Sequence, residues 1–303
     1  MIFWGPFSLR SEDFQMERPA EIEVTPEEQS HAENAIEASL NYIGETSEKP
    51  VYYAYEPPPG TLRQTARFIP QRVVVRDGRT LANDLSLDKQ GFELKHHDTS
   101  VKDFYDPKEV RDVYFPEIER LLKQATGATK VVIFDHQVRC LPLAQRGEKN
   151  AREYGKVVHN DYTAKSGPRR VRDHLPPSEG EELLRNRFAE INVWRPIRGP
   201  VESTPLAVCD ARSIEPRDFV PSDLVYPDKV GETYRFTFNP SHRWVYFPRM
   251  ERNEVILLKC YDSKEDGRAR FTAHTAFGDP TSPANAAPRE SIEVRALVFW
   301  PPE

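Results

Sequence analysis

The sequence predicts a mainly β protein with flanking helices, its core an antiparallel double-sheet jelly roll. Three observations lead there. After residue 130, about eight short segments are rich in β-branched and aromatic residues and alternate with a rough period of two. Turns marked by proline or glycine separate them, with few helical patterns between. Alternating βαβ units are not visible, which argues against a parallel sheet.

Taken in order, Thr25-Pro26-Glu27-Glu28 reads as a capping box with proline in the first turn, opening a helix that runs to about Ile43. Tyr52-Tyr53-Ala54-Tyr55 is a strand ended by Pro57-Pro58-Pro59-Gly60. Arg72 to Arg76 is a strand that meets Asp77-Gly78, the dipeptide of a tight hairpin. Glu117 to Thr126, closed by Gly127, is an exposed helix leading into the core strand Val131 to Phe134. A second helix, capped by Ser178 with Glu181, runs to about Phe188 and precedes the strand Ile191 to Trp194. Further strands are Leu206 to Cys209, Thr233 to Phe238, Trp244 to Phe247 and Glu254 to Tyr261. Arg268 to Phe277 and Ser291 to Phe299 are the last two. No linker or repeat interrupts the chain. The organisation expected is one domain over residues 1–303, with about 1–125 an N-terminal extension packed on a core of about 130–300.

Composition excludes several classes. Forty-two Lys and Arg against 48 Asp and Glu give a net charge of −6, so no basic surface advertises nucleic acid. Cys140, Cys209 and Cys260 are too scattered for a disulfide framework or a zinc ribbon, and a reducing compartment is the default. No stretch of about 18 apolar residues occurs, and the apolar start Met1-Ile2-Phe3-Trp4-Gly5-Pro6-Phe7 is too short for a signal peptide or anchor. A cytoplasmic protein with no membrane contact is expected.

The chemistry concentrates in Val157-Val158-His159-Asn160-Asp161-Tyr162. On a strand, residues i and i+2 share a face, so His159 and Asp161 can offer an imidazole and a carboxylate to one metal. One more histidine would complete a 2-His-1-carboxylate triad, which holds non-haem Fe(II) with positions left open. Between the last two strands, Arg289-Glu290-Ser291 sets a guanidinium fork and a hydroxyl two residues apart, a pairing suited to a carboxylate.

His-x-Asp, a distant His, then Arg-x-Ser on a closing strand is the order found in Fe(II)/2-oxoglutarate-dependent oxygenases, and the chain resembles that superfamily. The likeness extends to its fungal branch of gibberellin desaturases, aspergillic-acid-type hydroxylases and cephamycin-type methoxylation proteins. It is carried by VVIFDHQVR (131–139), VHNDYTAKSGP (158–168), INVWRPIRGP (191–200), PLAVCDARS (205–213), NPSHRWVYFPRM (239–250) and the stretch from Phe271 to Arg295. The resemblance implies a double-stranded β-helix of cupin-like type. It implies Fe(II) on His159, Asp161 and His274, 2-oxoglutarate and O2 as co-substrates, and a small secondary metabolite that is hydroxylated or desaturated. It also implies Arg289 and Ser291 as anchors of the far carboxylate of 2-oxoglutarate.

Rivals stand beside these assignments. His242 competes with His274 as third ligand, but a carboxylate-binding arginine is expected on the strand paired with the distal ligand, and only His274 has that arrangement. Arg295, in mid-strand, competes with Arg289 for the carboxylate. Asn192, Trp194 and Arg195 are candidates for substrate contact, with a buried Trp and solvated arginines as the alternative. His136 reads as a core group, His96 and His97 as surface or hinge histidines. Arg169-Arg170-Val171-Arg172 reads as a solvated loop, or alternatively as a lid for an acidic substrate. Two other functions stay open, a cupin-like metal enzyme without 2-oxoglutarate and a non-catalytic accessory protein.

Overall fold

In the computed structural model, which describes residues 34–302, the strands form two sheets. The five-stranded sheet has the order β4 (Phe92–His96), β12 (Glu254–Asp262), β7 (Phe188–Pro196), β14 (Glu290–Phe299), β5 (Lys130–Cys140), every neighbour antiparallel. The nine-stranded sheet begins with β1 (Ala35–Ile43), β3 (Phe68–Asp77), β11 (Trp244–Tyr246), β8 (Leu206–Cys209) and β13 (His274–Ala276). It continues through β6 (His159–Asn160), β10 (Val230–Phe236), β9 (Phe219–Val225) and β2 (Val51–Tyr53). Its central run β11-β8-β13-β6 is antiparallel and faces β12-β7-β14-β5. Those eight strands are the expected jelly roll.

Between the sheets, Ile256, Leu258, Leu297 and Phe299 meet Leu206, Val208 and Val245. On the far side of the five-stranded sheet, Ile191, Val193, Ile292, Val294 and Val298 pack on Ile118, Leu121 and Leu122 of helix α1 (Phe115–Thr126). Side chains of this size contribute about 1.5–3 kcal/mol each when fully buried. A sheet covered on both faces must bury every residue of its middle strands, and β7 is buried from end to end. Any polar side chain on β7 therefore needs a partner or a purpose.

Several segments differ from the sequence reading. The helix expected from Thr25 lies partly outside the described residues, and its described part, Ala35–Ile43, is strand β1. Ala38, Leu40 and Tyr42 alternate into one core face, and pairing with β3 outweighs the helix propensity of Ala and Glu. Asp77-Gly78 turns no hairpin: β3 lies between β1 and β11, and a short 3-10 turn, Gly78–Leu81, follows it. Gly78 is needed there because a Cβ would fall 2.5 Å from the Phe247 ring. Ser166–His174, expected as a loop, is helix α2; Gly167 presses on Tyr261, and Pro168 sits in the first turn, where a missing N–H costs nothing. The next helix, α3 (Pro177–Leu183), is shorter than expected and starts after Pro176, without a side-chain cap. Strand β9 went unread. The last strand but one is only His274–Ala276. From Asn34 onward the chain forms one compact unit, and β1 to β4 extend both sheets. No helix among the described residues is long and apolar enough to cross a membrane.

Candidate metal and co-substrate site

His159 and His274 are direct cross-strand partners, the β6–β13 register placing one opposite the other. Their rings lie 4.3 Å apart between centroids. Each Nδ1 donates to a main-chain carbonyl two residues back: His159 to Val157 O at 2.7 Å and His274 to Thr272 O at 3.1 Å. That fixes the tautomer and leaves both Nε2 lone pairs free to coordinate. Asp161 follows β6, and its Oδ1 stands 3.7 Å from His159 Nε2. Ligand atoms of His159, Asp161 and His274 all lie within 4.8 Å of one another.

The opposite sheet holds the carboxylate in place. Asn192 Nδ2 and Arg295 Nε, from residues directly opposite each other on β7 and β14, donate to Asp161 Oδ2 at 2.8 and 3.0 Å. One oxygen is thus taken, and the other faces the histidines. Burial pulls the Asp161 carboxyl upward, but Arg295, His274 and His159 hold it well below the usual range. Burial and the neighbouring His274 push His159 far down, so its imidazole is neutral. A neutral imidazole beside an ionised carboxylate is the protonation state a divalent metal requires. The donor set therefore fits Fe(II), with three ligands on one side.

Inner-face alternation on β14 sets Ser291, Glu293 and Arg295 in a row. Arg295 Nη1 and Nη2 donate at 2.8 Å to Asp135 and Glu293, so each of its three nitrogens donates to a carboxylate. Arg289, at the mouth of this strand, is different. It is buried with one hydrogen bond, Nη1 to Thr204 O at 2.6 Å, while its Nε and the Ser291 hydroxyl have no partner. Its guanidinium stacks 4.3 Å from the Tyr154 ring and 5.5 Å from Trp194, which fixes its plane. Burial, with help from the Arg139 charge, pulls it down to about 9. An enclosed cation with orphaned donors beside an orphaned hydroxyl suits an incoming carboxylate.

Not every sequence-selected residue reaches this site. Asn192 does, as a clamp on Asp161, and Trp194 does, as a face for Arg289. Arg195 points to the other side of the sheet, where Nε donates to Tyr114 Oη at 2.9 Å and the rest reaches Arg252 O and His97 O. His242 lies elsewhere in the fold, bonded to Tyr42 Oη and Asp218 at 3.0 and 3.1 Å. His136 meets Phe115 edge to face on the helix side of β5. The strand that follows the distal ligand does not pair with it, since β13 and β14 belong to opposite sheets. Arg289 therefore adjoins the sheet opposite the one that carries the distal ligand.

Sequence reasoning missed Arg139, Glu190 and Glu293. For Arg139 a signal existed: Asp135, Gln137 and Arg139 share one face by alternation and pair with Arg295, Glu293 and Ser291. Glu190 is fully buried two residues before Asn192, with neither carboxyl oxygen partnered.

A family profile described as an oxidoreductase/YMDC permease-like domain matches residues 40–299. The chain is 35% identical over 287 residues to the hydroxylase/desaturase efuI of Hormonema carpetanum, spanning 88% of this chain and 95% of that protein. It is 33% identical over 263 residues to the Fe(II)/2-oxoglutarate-dependent dioxygenase nvfI of Aspergillus novofumigatus, spanning 82% and 90%. The solved structure of the iron and alpha-ketoglutarate-dependent endoperoxidase NvfI superposes with a TM-score of 0.81 at 29% identity, covering 88% of this chain and 99% of that one.

Proposed function

The chain belongs to the fungal hydroxylase/desaturase family of Fe(II)/2-oxoglutarate-dependent dioxygenases, and from that premise we propose that it hydroxylates or desaturates a small secondary metabolite with Fe(II) on His159, Asp161 and His274. Arg289 and Ser291 anchor the far carboxylate of 2-oxoglutarate. When bound, the iron supplies, with 2-oxoglutarate and dioxygen, the oxidising power to remove hydrogen from a substrate C–H bond as 2-oxoglutarate becomes succinate and carbon dioxide.

The chain's own residues do the positioning. The backbone carbonyls of Val157 and Thr272 hold the two imidazoles so that their Nε2 atoms converge. Asn192 and Arg295 keep Asp161 from swinging, so that a single carboxylate oxygen faces the metal. Tyr154 and Trp194 lock the Arg289 plane, and so the direction from which the co-substrate carboxylate can be received. Preorganisation of this kind lowers the ordering cost of binding.

The observation that carries the co-substrate assignment is the buried, unpartnered pair of Arg289 Nε and Ser291 Oγ. A metal enzyme without 2-oxoglutarate has no use for it, and leaving such groups unpaired is costly. The test is anaerobic titration of the purified protein with Fe(II) and 2-oxoglutarate. A weak visible charge-transfer band is expected only when both are present, and admission of oxygen should release succinate. Iron uptake without the band would leave a cupin-like metal enzyme in its place.

A further inference from the structure

Arg139, next to last in β5, stands directly opposite Ser291 on β14. Such opposed residues hold their Cβ atoms about 4.5–5.5 Å apart and direct their side chains to the same face of the sheet. The guanidinium makes one hydrogen bond, Nη1 to the Glu153 carbonyl at 2.6 Å. Among the described residues no carboxylate forms an ion pair with it, and none with Arg289. Glu293, the acidic group between them and the metal cluster, is engaged by Arg295.

Two guanidinium groups, Arg289 buried and Arg139 partly buried, therefore share one end of the sandwich, and Glu293, the acidic group that acts on both, is already engaged by Arg295. Burial pulls both below the ordinary arginine range, and the Arg139 charge lowers Arg289 further. Holding a buried cation beside a second one that is only partly solvated is unfavourable unless a counter-ion arrives. A dicarboxylate bound to a metal through its oxo-acid end would extend its second carboxylate to this position. Resting on the co-substrate reading above, we infer that Arg139 is a second ligand of the far carboxylate of 2-oxoglutarate, sharing it with Arg289 and Ser291. The site thus selects a dianionic 2-oxo acid over a monoanionic one, with two guanidinium groups rather than one setting the preference.

The experiment compares 2-oxoglutarate with 2-oxopentanoate, which carries a methyl group where 2-oxoglutarate has its far carboxylate. Calorimetric titration of the anaerobic Fe(II)-loaded protein gives both affinities for wild type, Arg139→Ala, Arg139→Lys and Arg289→Ala, with thermal unfolding of each metal-free protein as a control for folding. A charge-assisted hydrogen bond supports a loss of about tenfold or more. Arg139→Ala is expected to weaken 2-oxoglutarate by that factor, leave 2-oxopentanoate unchanged and unfold no earlier than wild type, with Arg139→Lys recovering part of the loss. Equal weakening of both ligands, or an unchanged preference in Arg139→Ala while Arg289→Ala loses it, overturns the role of Arg139 and leaves the co-substrate reading standing. Failure of wild type to bind 2-oxoglutarate overturns both.

Discussion

Arg295 Nε and Asn192 Nδ2 donate to the same oxygen of Asp161, at 3.0 and 2.8 Å, and so bind a carboxylate that follows a strand of one sheet to a directly opposed pair of the other. Groups that orient a metal ligand in this way typically change metal affinity by about 10- to 100-fold when removed. Arg295→Met is therefore expected to weaken Fe(II) binding in that range. The preference for 2-oxoglutarate over 2-oxopentanoate should survive, because the donors of Arg295 are already committed to Asp161, Asp135 and Glu293. A lost preference with intact metal affinity would make Arg295 the carboxylate anchor instead.

Arg289 predicts the converse. Truncating one partner of a buried charge pair costs about 2–5 kcal/mol, which corresponds to roughly thirtyfold or more in affinity. Arg289→Ala should raise the 2-oxoglutarate concentration needed for half-maximal succinate formation by at least that factor. Fe(II) titration of the same variant should remain close to wild type, since Arg289 touches none of the three ligands. Ser291→Ala, which removes a neutral hydroxyl, should have the same direction and a smaller size.

How much of this was legible follows the length scale of each signal. His159 and Asp161 are two residues apart at the end of a strand, and Arg289 and Ser291 two apart at the start of one, so local spacing exposes both pairs. The jelly roll was legible because its strands are short, β-branched and aromatic segments with period-two alternation, bounded by proline and glycine turns. What failed depends on distant neighbours. Ala35–Ile43 carries helix-forming residues, and only the β3 ladder makes it a strand. Gly78 sits after Asp77 for the sake of the Phe247 ring and not for a hairpin. Arg195 looks like part of a polar cluster with Asn192 and Trp194, yet strand parity sends it to the opposite face, toward Tyr114. Alternation puts Arg139 on the face of Asp135 and Gln137, but which residues it meets there depends on the β5–β14 register, which sequence spacing does not contain.

The two candidate third ligands separate cleanly. His242 stacks on Tyr42 and bonds to Tyr42 Oη and Asp218, away from the metal cluster. Its removal leaves buried polar atoms underpartnered, at a cost of about 1–3 kcal/mol. His242→Ala should therefore lower the urea midpoint while binding Fe(II) at wild-type stoichiometry. His274→Ala should lose Fe(II) uptake. Loss of iron binding in the His242 variant, with a normal urea midpoint, would reverse the assignment.

Glu190 makes stability depend on pH in a direction opposite to that of an ion-paired carboxylate. Burial pushes its carboxyl well above the ordinary glutamate value of 4.5, Arg170 opposing and Asp161 adding to the rise. Over the window above 4.5 the folded protein keeps a proton there that the unfolded chain has released. The folded state binds more protons, so unfolding free energy falls as pH rises, by at most about 1.4 kcal/mol per pH unit for a single group. This contribution is complete below the unfolded value and lost as pH climbs through the folded one. Glu190→Gln keeps the shape and has no proton to lose. Urea unfolding of metal-free protein between about pH 5 and about pH 9 should therefore show the Gln variant gaining on wild type steadily as pH increases. A difference independent of pH would mean that Glu190 is ionised in the fold and paired with a cation, Arg170 being the nearest candidate by charge. The expected slope would instead place a neutral carboxylic acid beside Asn192 on the inner face of β7, able to donate a hydrogen bond where every other acid near the metal can only accept one.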